Sequence, residues 1–177
     1  MLISPSVAYL LGLIIVLVWQ VICFVRKISA KKNFIFSLFI VYMSLLIGVT
    51  LFPLPIGIPH SYNSNINFIP FKSIHDTLTY NSIKQIIIQL LGNVIMFFPL
   101  GILLQFMNKP KKQIENLIIA VCLAFLIELL QLIIGLVVSK YLYRSVDIDD
   151  VILNTLGYLI GFAFYLVIPR KLKKAFL

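Results

Sequence analysis

The sequence predicts an all-α protein whose helices cross a membrane five times. Of its 177 residues, 61% are hydrophobic and 12% are charged, and the mean hydropathy is +1.06. A soluble domain of this size could not bury so much apolar surface, whereas an apolar run of about 18 or more residues can span a bilayer. We expect residues 1–177 to form a single transmembrane domain, a five-helix bundle. The five runs lie at about 7–25, 34–52, 86–107, 117–138 and 151–169.

The first two runs are both predicted to be membrane helices. The first differs from a signal peptide because its basic residues, Arg26 and Lys27, follow the apolar run instead of preceding it, and no small-residue cleavage site stands out. The second run ends at the sequence FPLPIGIP (52–59), because closely spaced prolines cannot continue a helix.

Lysine and arginine residues orient the helices. They cluster after the first, third and fifth runs, and they are sparse in the other two loops. Basic residues in short loops stay on the cytoplasmic side, so the N-terminus is predicted outside and the C-terminus inside. The net charge of +9 then mostly faces anionic headgroups. Because it is divided among three loops, we expect no nucleic-acid partner. The clusters are Arg26, Lys27, Lys31 and Lys32; Lys109, Lys111 and Lys112; and Arg170, Lys171, Lys173 and Lys174.

The loop at 53–85 is unusually apolar for a segment between two membrane helices. Phe68, Ile69 and Phe71 lie among asparagines in the stretch NSNINFIPFKSIHD. We expect this loop to lie at the outer headgroup level or to fold back onto the bundle. Its two histidines, His60 and His75, have no neighbouring carboxylate motif and are not predicted to be catalytic.

Polar and small residues form stripes on the last three helices. With 100° per residue, each stripe faces one direction, and Asp149 points away from its neighbours. Small residues let helices approach closely and polar ones bond across the gap, so these helices are predicted to pack through the stripes. The stripes are Gln89, Gly92, Asn93 and Met96; Ala124, Glu128, Gln131, Gly135 and Ser139; and Asp147, Asp150, Asn154, Gly157 and Gly161.

Glu128 is predicted near the middle of the bilayer, beneath a charged rim. A charged carboxyl there costs about 2.5 kcal/mol or more, so we expect Glu128 to be protonated or to be paired with Arg144 or Lys140. Purely structural interpretations stay open for the other polar residues. Helix capping alone could explain Asp149 and Asp150. Arg144 and Asp147 could form a surface ion pair, and the amides could simply join helices. The rim residues are Arg144, Asp147 and Asp150, and the amides below them are Asn93, Gln131 and Asn154.

Four stretches within residues 34–165 resemble the VanZ-like membrane proteins, a family named for a teicoplanin-resistance factor of Gram-positive bacteria. They are NFIPF (67–71), LLGNVIMFFPLG (90–101), IELLQ (127–131) and YRSVDIDDVILNTLGYLIG (143–161). The resemblance implies a multi-pass protein of the plasma membrane that lowers susceptibility to lipoglycopeptide antibiotics. The positions that it marks are Asn67, Pro70, Asn93, Pro99, Gly101, Glu128, Gln131, Arg144, Asp147, Asp150, Asn154 and Gly157.

Three functions are compatible with such a site. The favoured one is binding or remodelling of a lipid-type partner: a lipid-linked wall precursor, a phospholipid or a lipidated glycopeptide. Arg144 would engage an anionic group, and the ligand-binding amides and acids would form hydrogen bonds. These are Asn67, Asn93, Gln131, Asp147, Asp150 and Asn154.

The two alternatives are an enzyme and a transporter. In an intramembrane enzyme, Glu128 would be the general acid or base, and Asp147 and Asp150 would hold a divalent metal on a lipid phosphate. This interpretation is less favoured because known intramembrane protease and lipid-phosphatase motifs are missing from the sequence. A small transporter would need an inverted repeat or a dimer. The sequence identifies no cofactor and no oligomeric state.

Overall fold

The computed structural model describes residues 2–55, 66–107, 112–139 and 144–176. Five of its helices are long and apolar enough to cross a membrane, which confirms the predicted apolar helices to within a few residues at each end. These spans are Ser6–Arg26, Ala30–Leu51, Ile83–Met107, Gln113–Val138 and Ile148–Val167.

The third and fourth spans are each interrupted or extended by a π-helical turn, and short elements join the spans. The helices are α1 (Ser6–Arg26), α2 (Ala30–Leu51), α3 (Lys72–Tyr80), α4 (Ile83–Ile86), α5 (Gly92–Met107), α6 (Gln113–Ile134), α7 (Ile148–Val167) and α8 (Arg170–Phe176). The strands are β1 (Leu2–Ile3), β2 (Leu54–Pro55), β3 (Ile66–Asn67) and β4 (Val146–Asp147), and the π-helical turns are Ile87–Leu91 and Gly135–Ser139.

Helices α1 and α2 form an antiparallel hairpin through two small-residue contacts. A Cβ at Gly12 would lie 2.3 Å from the Ser44 Cβ, and a Cβ at Gly48 would lie 2.3 Å from the Tyr9 ring. Most of the remaining surface of α1 is exposed apolar side chain. Helix α1 is therefore a peripheral helix, held mainly by α2.

Helices α5 and α7 run parallel and form the most extensive contact of the bundle. A Cβ added at Gly157 would lie 2.1 Å from the Val94 carbonyl oxygen, and one at Gly161 would lie 2.0 Å from that of Phe98. Gly101 on α5 meets the backbone of α7 in the same way. The predicted packing through the glycines of the stripe is confirmed, because no other residue would fit between these backbones.

Helix α6 completes the core with the stripe predicted for it. Ala124, Glu128 and Gln131 are all buried. The apolar core lies between α2, α5, α6 and α7, and its central residues are Leu46, Phe97, Leu100, Ala120, Ala124, Ile127, Val151, Tyr158 and Phe162.

The bundle has two chemically different ends. The alternating helix directions bring the C-terminal end of α2 and the N-terminal end of α7 together, and we call this the site end. The opposite end, the basic end, carries the α1–α2 turn, the N-terminal end of α6 and helix α8. It holds the described members of all three basic clusters, whereas Lys109 and Lys111 lie outside the described residues.

The apolar segment before the third span folds back onto the site end, as predicted for the described residues 66–85. Strand β3 pairs in parallel with β4, with Ile66 opposite Val146 and Asn67 opposite Asp147. Helix α3 then contacts α7. The rest of the predicted loop, including His60, lies outside the described residues.

Candidate functional site

Asp147 caps the N-terminus of α7 and also holds strand β3. Its Oδ1 accepts a hydrogen bond from the Asp149 backbone N–H at 2.9 Å and one from the Asn67 Nδ2 at 2.8 Å. An aspartate at this position satisfies a free N–H group of the first helical turn. From sequence, capping was considered for Asp149 and Asp150, but the side chain that caps α7 is that of Asp147, and the same carboxylate anchors Asn67.

Asp149 holds helix α3 against α7 through hydrogen bonds, a role that was not predicted from the sequence. Only 1% of this residue is exposed. Its Oδ1 accepts from the Phe71 backbone N–H at 2.5 Å, and its Oδ2 accepts from the Ile74 N–H at 3.1 Å. Asp149 does point away from the stripe, as predicted, but it points into the first turn of α3. An anion at a helix N-terminus satisfies unpaired N–H groups and favours the helix dipole.

Glu128 is buried and bonds to the segment that precedes α7. It is 4% exposed, and its Oε2 accepts from the Asp147 backbone N–H at 3.2 Å. Its predicted state was either a protonated carboxyl or an ion pair with Arg144 or Lys140. Within the described ranges, no lysine or arginine forms an ion pair with this carboxyl, and Lys140 lies outside them.

Asn93 and Asp150 join α5 to α7 beside Glu128. The Asn93 Nδ2 donates to the Asp150 Oδ1. One turn further along α7, Asn154 is 2% exposed, and its Oδ1 accepts no hydrogen bond from any described group. A buried amide oxygen without a donor is costly, so Asn154 is the one predicted site residue whose polar atom is left unsatisfied.

Arg144 and Gln131 both bind the C-terminal end of α2. The Arg144 Nη2 donates to the Val49 carbonyl at 2.9 Å and to the Phe52 carbonyl at 2.7 Å. The Gln131 Nε2 donates to the Thr50 carbonyl at 3.0 Å. These are carbonyls of the kind that a helix end leaves unpaired, and a positive charge there is favourable.

The surface ion pair considered between Arg144 and Asp147 does not form. Both residues belong to the described part of the chain, and no ion pair joins them. The reason is that each has stronger local partners: Arg144 binds α2 carbonyls, and Asp147 binds backbone and amide N–H groups.

Two adjoining spaces contain all eight predicted site residues. We call them the polar cavity, of about 180 Å³, and the polar cleft, of about 730 Å³. Asn93, Ser145 and Asp150 line both, so one opens beside the other. The polar cavity is also lined by Thr50, Met96, Ile127, Glu128, Gln131, Arg144 and Asn154. The polar cleft takes in Asn67, Lys72, Asp76, Asn81, Gln89, Asp147 and Asp149 among others.

The metal-binding alternative gains no support from the ligand arrangement. Asp147 and Asp150 each accept side-chain or backbone N–H groups. Across the described residues, no group of three or more histidine, cysteine, aspartate or glutamate side chains is placed to hold a metal ion.

The two π-helical turns flank this site and were not anticipated. Ile87–Leu91 precedes Asn93, and Gly135–Ser139 follows Gln131. Gln89 lies within the first turn and lines the polar cleft together with Asn93. The Gln89 Oε1 accepts from Thr77 at 3.0 Å and Asn81 at 3.3 Å, so it bonds to α3 and its C-terminal end. Single π-helical turns commonly mark functional sites, and they leave little sequence signal.

The sequence was also compared with known proteins. Residues 39–169, most of the chain, match the VanZ/LLP1 family. The chain belongs to the VanZ/LLP1 family. The match includes all eight predicted site residues. It begins within α2, so it does not cover α1. This membership and the five apolar helices make the chain a VanZ-like membrane protein, of a kind linked to antibiotic resistance. Comparison with curated proteins and with solved structures gave no match.

Proposed function

We propose that this VanZ/LLP1 protein lies in the plasma membrane and lowers susceptibility to lipoglycopeptide antibiotics such as teicoplanin. It does so by binding or remodelling a lipid-type ligand at the polar cavity and cleft. The observation that carries the proposal is that eight residues chosen from sequence line two adjoining polar spaces at one end of an apolar bundle.

The basic clusters support an outward-facing site. Their described members lie at the end opposite the cavity, and basic residues in short loops favour the cytoplasm. The N-terminus is then outside, the C-terminus is inside, and the cavity opens in the outer leaflet. Lipid-linked wall precursors, phospholipids and the lipid tail of a lipoglycopeptide can all be met there.

The surroundings of the cleft favour an amphiphilic ligand. Its volume lies in the range of sites for small molecules, and its lining is rich in amides, hydroxyls and acids. Beside it, Phe68, Ile69 and Phe71 are 78%, 61% and 63% exposed. A polar space beside exposed apolar side chains can hold a headgroup while the acyl chains stay in apolar surroundings.

The contacts favour binding over catalysis. Glu128 lines the cavity, but its described hydrogen bond holds the backbone of Asp147. The two aspartates assigned to a metal in the enzyme alternative also serve in structural bonds. A site built from side chains that are already oriented by the protein suits recognition of a ligand.

The proposal is tested by expressing the protein in a susceptible Gram-positive host and measuring growth inhibition by teicoplanin. Asp150→Asn removes one charge from the cavity and keeps an oxygen that can accept from Asn93, so the protein should accumulate normally and protection should be lost. Glu115→Gln makes the same chemical change at the exposed start of α6, at the basic end, and should retain protection. Full protection by Asp150→Asn at equal protein levels would refute a role for this cavity.

A further inference from the structure

Asn154 presents an unused acceptor to the polar cavity. Asn154 is 2% exposed and lines the cavity, and its Oδ1 accepts no hydrogen bond from any described group. The neighbouring amides use their NH2 groups as donors, Asn93 to Asp150 and Gln131 to the Thr50 carbonyl, and of the three amide oxygens that of Asn154 is the one buried without a partner. A ligand that donates a hydrogen bond would remove the cost of this unsatisfied oxygen.

The charges around the same cavity indicate that this donor is positive. Two carboxyls, Glu128 and Asp150, line it, and Arg144 is the one basic side chain among the described lining residues. Arg144 already donates to two carbonyls at the end of α2. A buried carboxyl is either protonated or paired with a cation, and within the described ranges no lysine or arginine forms an ion pair with buried Glu128 or half-buried Asp150.

This arrangement favours a different ligand chemistry from the one expected from sequence. Arg144 was expected to bind an anionic group, but its Nη2 donates to two backbone carbonyls of α2 and its C-terminal end. An additional anion would be repelled by either carboxyl in its ionised form. A cation would meet both acids and the free acceptor of Asn154.

We propose that the polar cavity receives a primary ammonium group carried by a membrane lipid. The ammonium donates to the Asn154 Oδ1 and pairs with the Glu128 and Asp150 carboxyls. This inference rests on the proposed function and deepens it, since it names the headgroup that the same site selects.

Size and position agree with a headgroup on a lipid. The cavity of about 180 Å³ has the volume of about six water molecules in the liquid, which suits a small amine better than a lone ion. It adjoins the larger cleft, beside which the apolar side chains of Phe68 and Ile69 are exposed. A tethered amine can enter the cavity while its phosphate and chains remain in the cleft and the membrane.

The inference is tested with the full-length protein in detergent, by native mass spectrometry and thermal unfolding with defined lipids. Phosphatidylethanolamine has N–H donors and a positive charge, phosphatidylcholine has the charge without the N–H donors, and phosphatidylglycerol has neither. We expect phosphatidylethanolamine to bind about ten- to a hundredfold more tightly than the other two. Equal binding of all three lipids would overturn the inference. If soluble phosphoethanolamine bound as tightly as phosphatidylethanolamine, the conclusion that a membrane lipid carries the amine would be wrong.

Asn154→Leu separates recognition from folding. The Asn154 Oδ1 has no partner to lose, so the unliganded variant should melt at the same temperature as the parent protein or higher. Its preference for phosphatidylethanolamine should disappear, and a retained preference would refute the role of Asn154. If the leucine variant does not fold, Asp150→Asn provides the same comparison. Glu115→Gln should keep the preference.

The binding assay tests the ammonium inference, and the growth assay tests the proposed function, so either can be refuted without the other. If phosphatidylethanolamine is not preferred but Asp150→Asn loses teicoplanin protection, the ammonium inference is wrong and the proposed function stands. If the lipid is preferred but Asp150→Asn protects fully, the proposed function is wrong and the ammonium site stands.

Discussion

The backbone N–H of Asp147 donates to the side chain of Glu128 at 3.2 Å. A carboxyl on α6 thereby fixes the residue that caps α7 and that binds Asn67 on β3. One buried carboxyl thus positions three segments of the site end.

Glu128→Gln should fold with nearly the parent stability, because the glutamine oxygen can still accept from the Asp147 N–H. Glu128→Leu should lose about 1–3 kcal/mol, since it leaves that buried N–H unpaired. Thermal unfolding in detergent measures both changes. Teicoplanin protection is then read in the same variants. A stable Glu128→Gln protein that binds lipid but gives no protection would support proton transfer by Glu128, and a fully protective one would exclude it.

Asp149→Ala should release α3 from the bundle, because it leaves the N–H groups of Phe71 and Ile74 without their carboxylate. We expect a loss of about 2–4 kcal/mol in stability and faster proteolysis of the segment at 66–82. The matched control is Asp76→Ala on α3, whose side chain is 51% exposed and which should melt like the parent. Equal protease resistance in both variants would show that Asp149 does not hold α3.

Gly157→Ala should be strongly destabilising, because its methyl group would lie 2.1 Å from the Val94 carbonyl oxygen. Separating α5 from α7 should cost about 1–3 kcal/mol or more. Gly92→Ala is the natural control, since nothing lies within 4 Å of its added Cβ; it should be neutral or stabilise the helix by about 0.5–1 kcal/mol. Thermal unfolding of the two purified variants makes the comparison, and similar melting points would argue against close α5–α7 packing.

Cysteine labelling of intact cells tests the orientation. In a background with Cys23 and Cys122 replaced by alanine, His75→Cys should react with a membrane-impermeant maleimide, because this side chain is exposed at the site end. Lys171→Cys, at the basic end, should react only after the cells are opened. The reverse pattern would place the cavity at the cytoplasmic face and overturn the outer-leaflet proposal.

Hydrophobicity and helical periodicity were sufficient to predict the apolar spans and the largely buried stripes of α6 and α7. Apolar runs identify spans wherever they are long, and Gly157 and Gly161 lie on one face in any regular helix. The same reasoning placed Asn93, Asp150 and Asn154 on facing surfaces of α5 and α7.

The remaining contacts join residues that are far apart in sequence, and helical periodicity cannot predict such pairs. Asp149 was assigned only a capping role because its α3 partners are more than seventy residues away in sequence. Arg144 was assigned to a ligand or to Asp147, because the carbonyls of α2 that it binds come near only in the folded bundle. Gln89 lines the cleft together with Asn93, with which it was grouped, but its bonds to Thr77 and Asn81 could not be foreseen from periodicity.

The parallel contact between α5 and α7 also sets the order in which the protein can be assembled. These helices are not neighbours in sequence, so the groove along α5 at Val94 and Gly101 stays unfilled while α6 is being synthesised. When α7 is inserted, it brings Asp147, Asp149 and Asp150 with it. The site is therefore built only when α7 is inserted, and a chain released before α7 would lack the polar cavity.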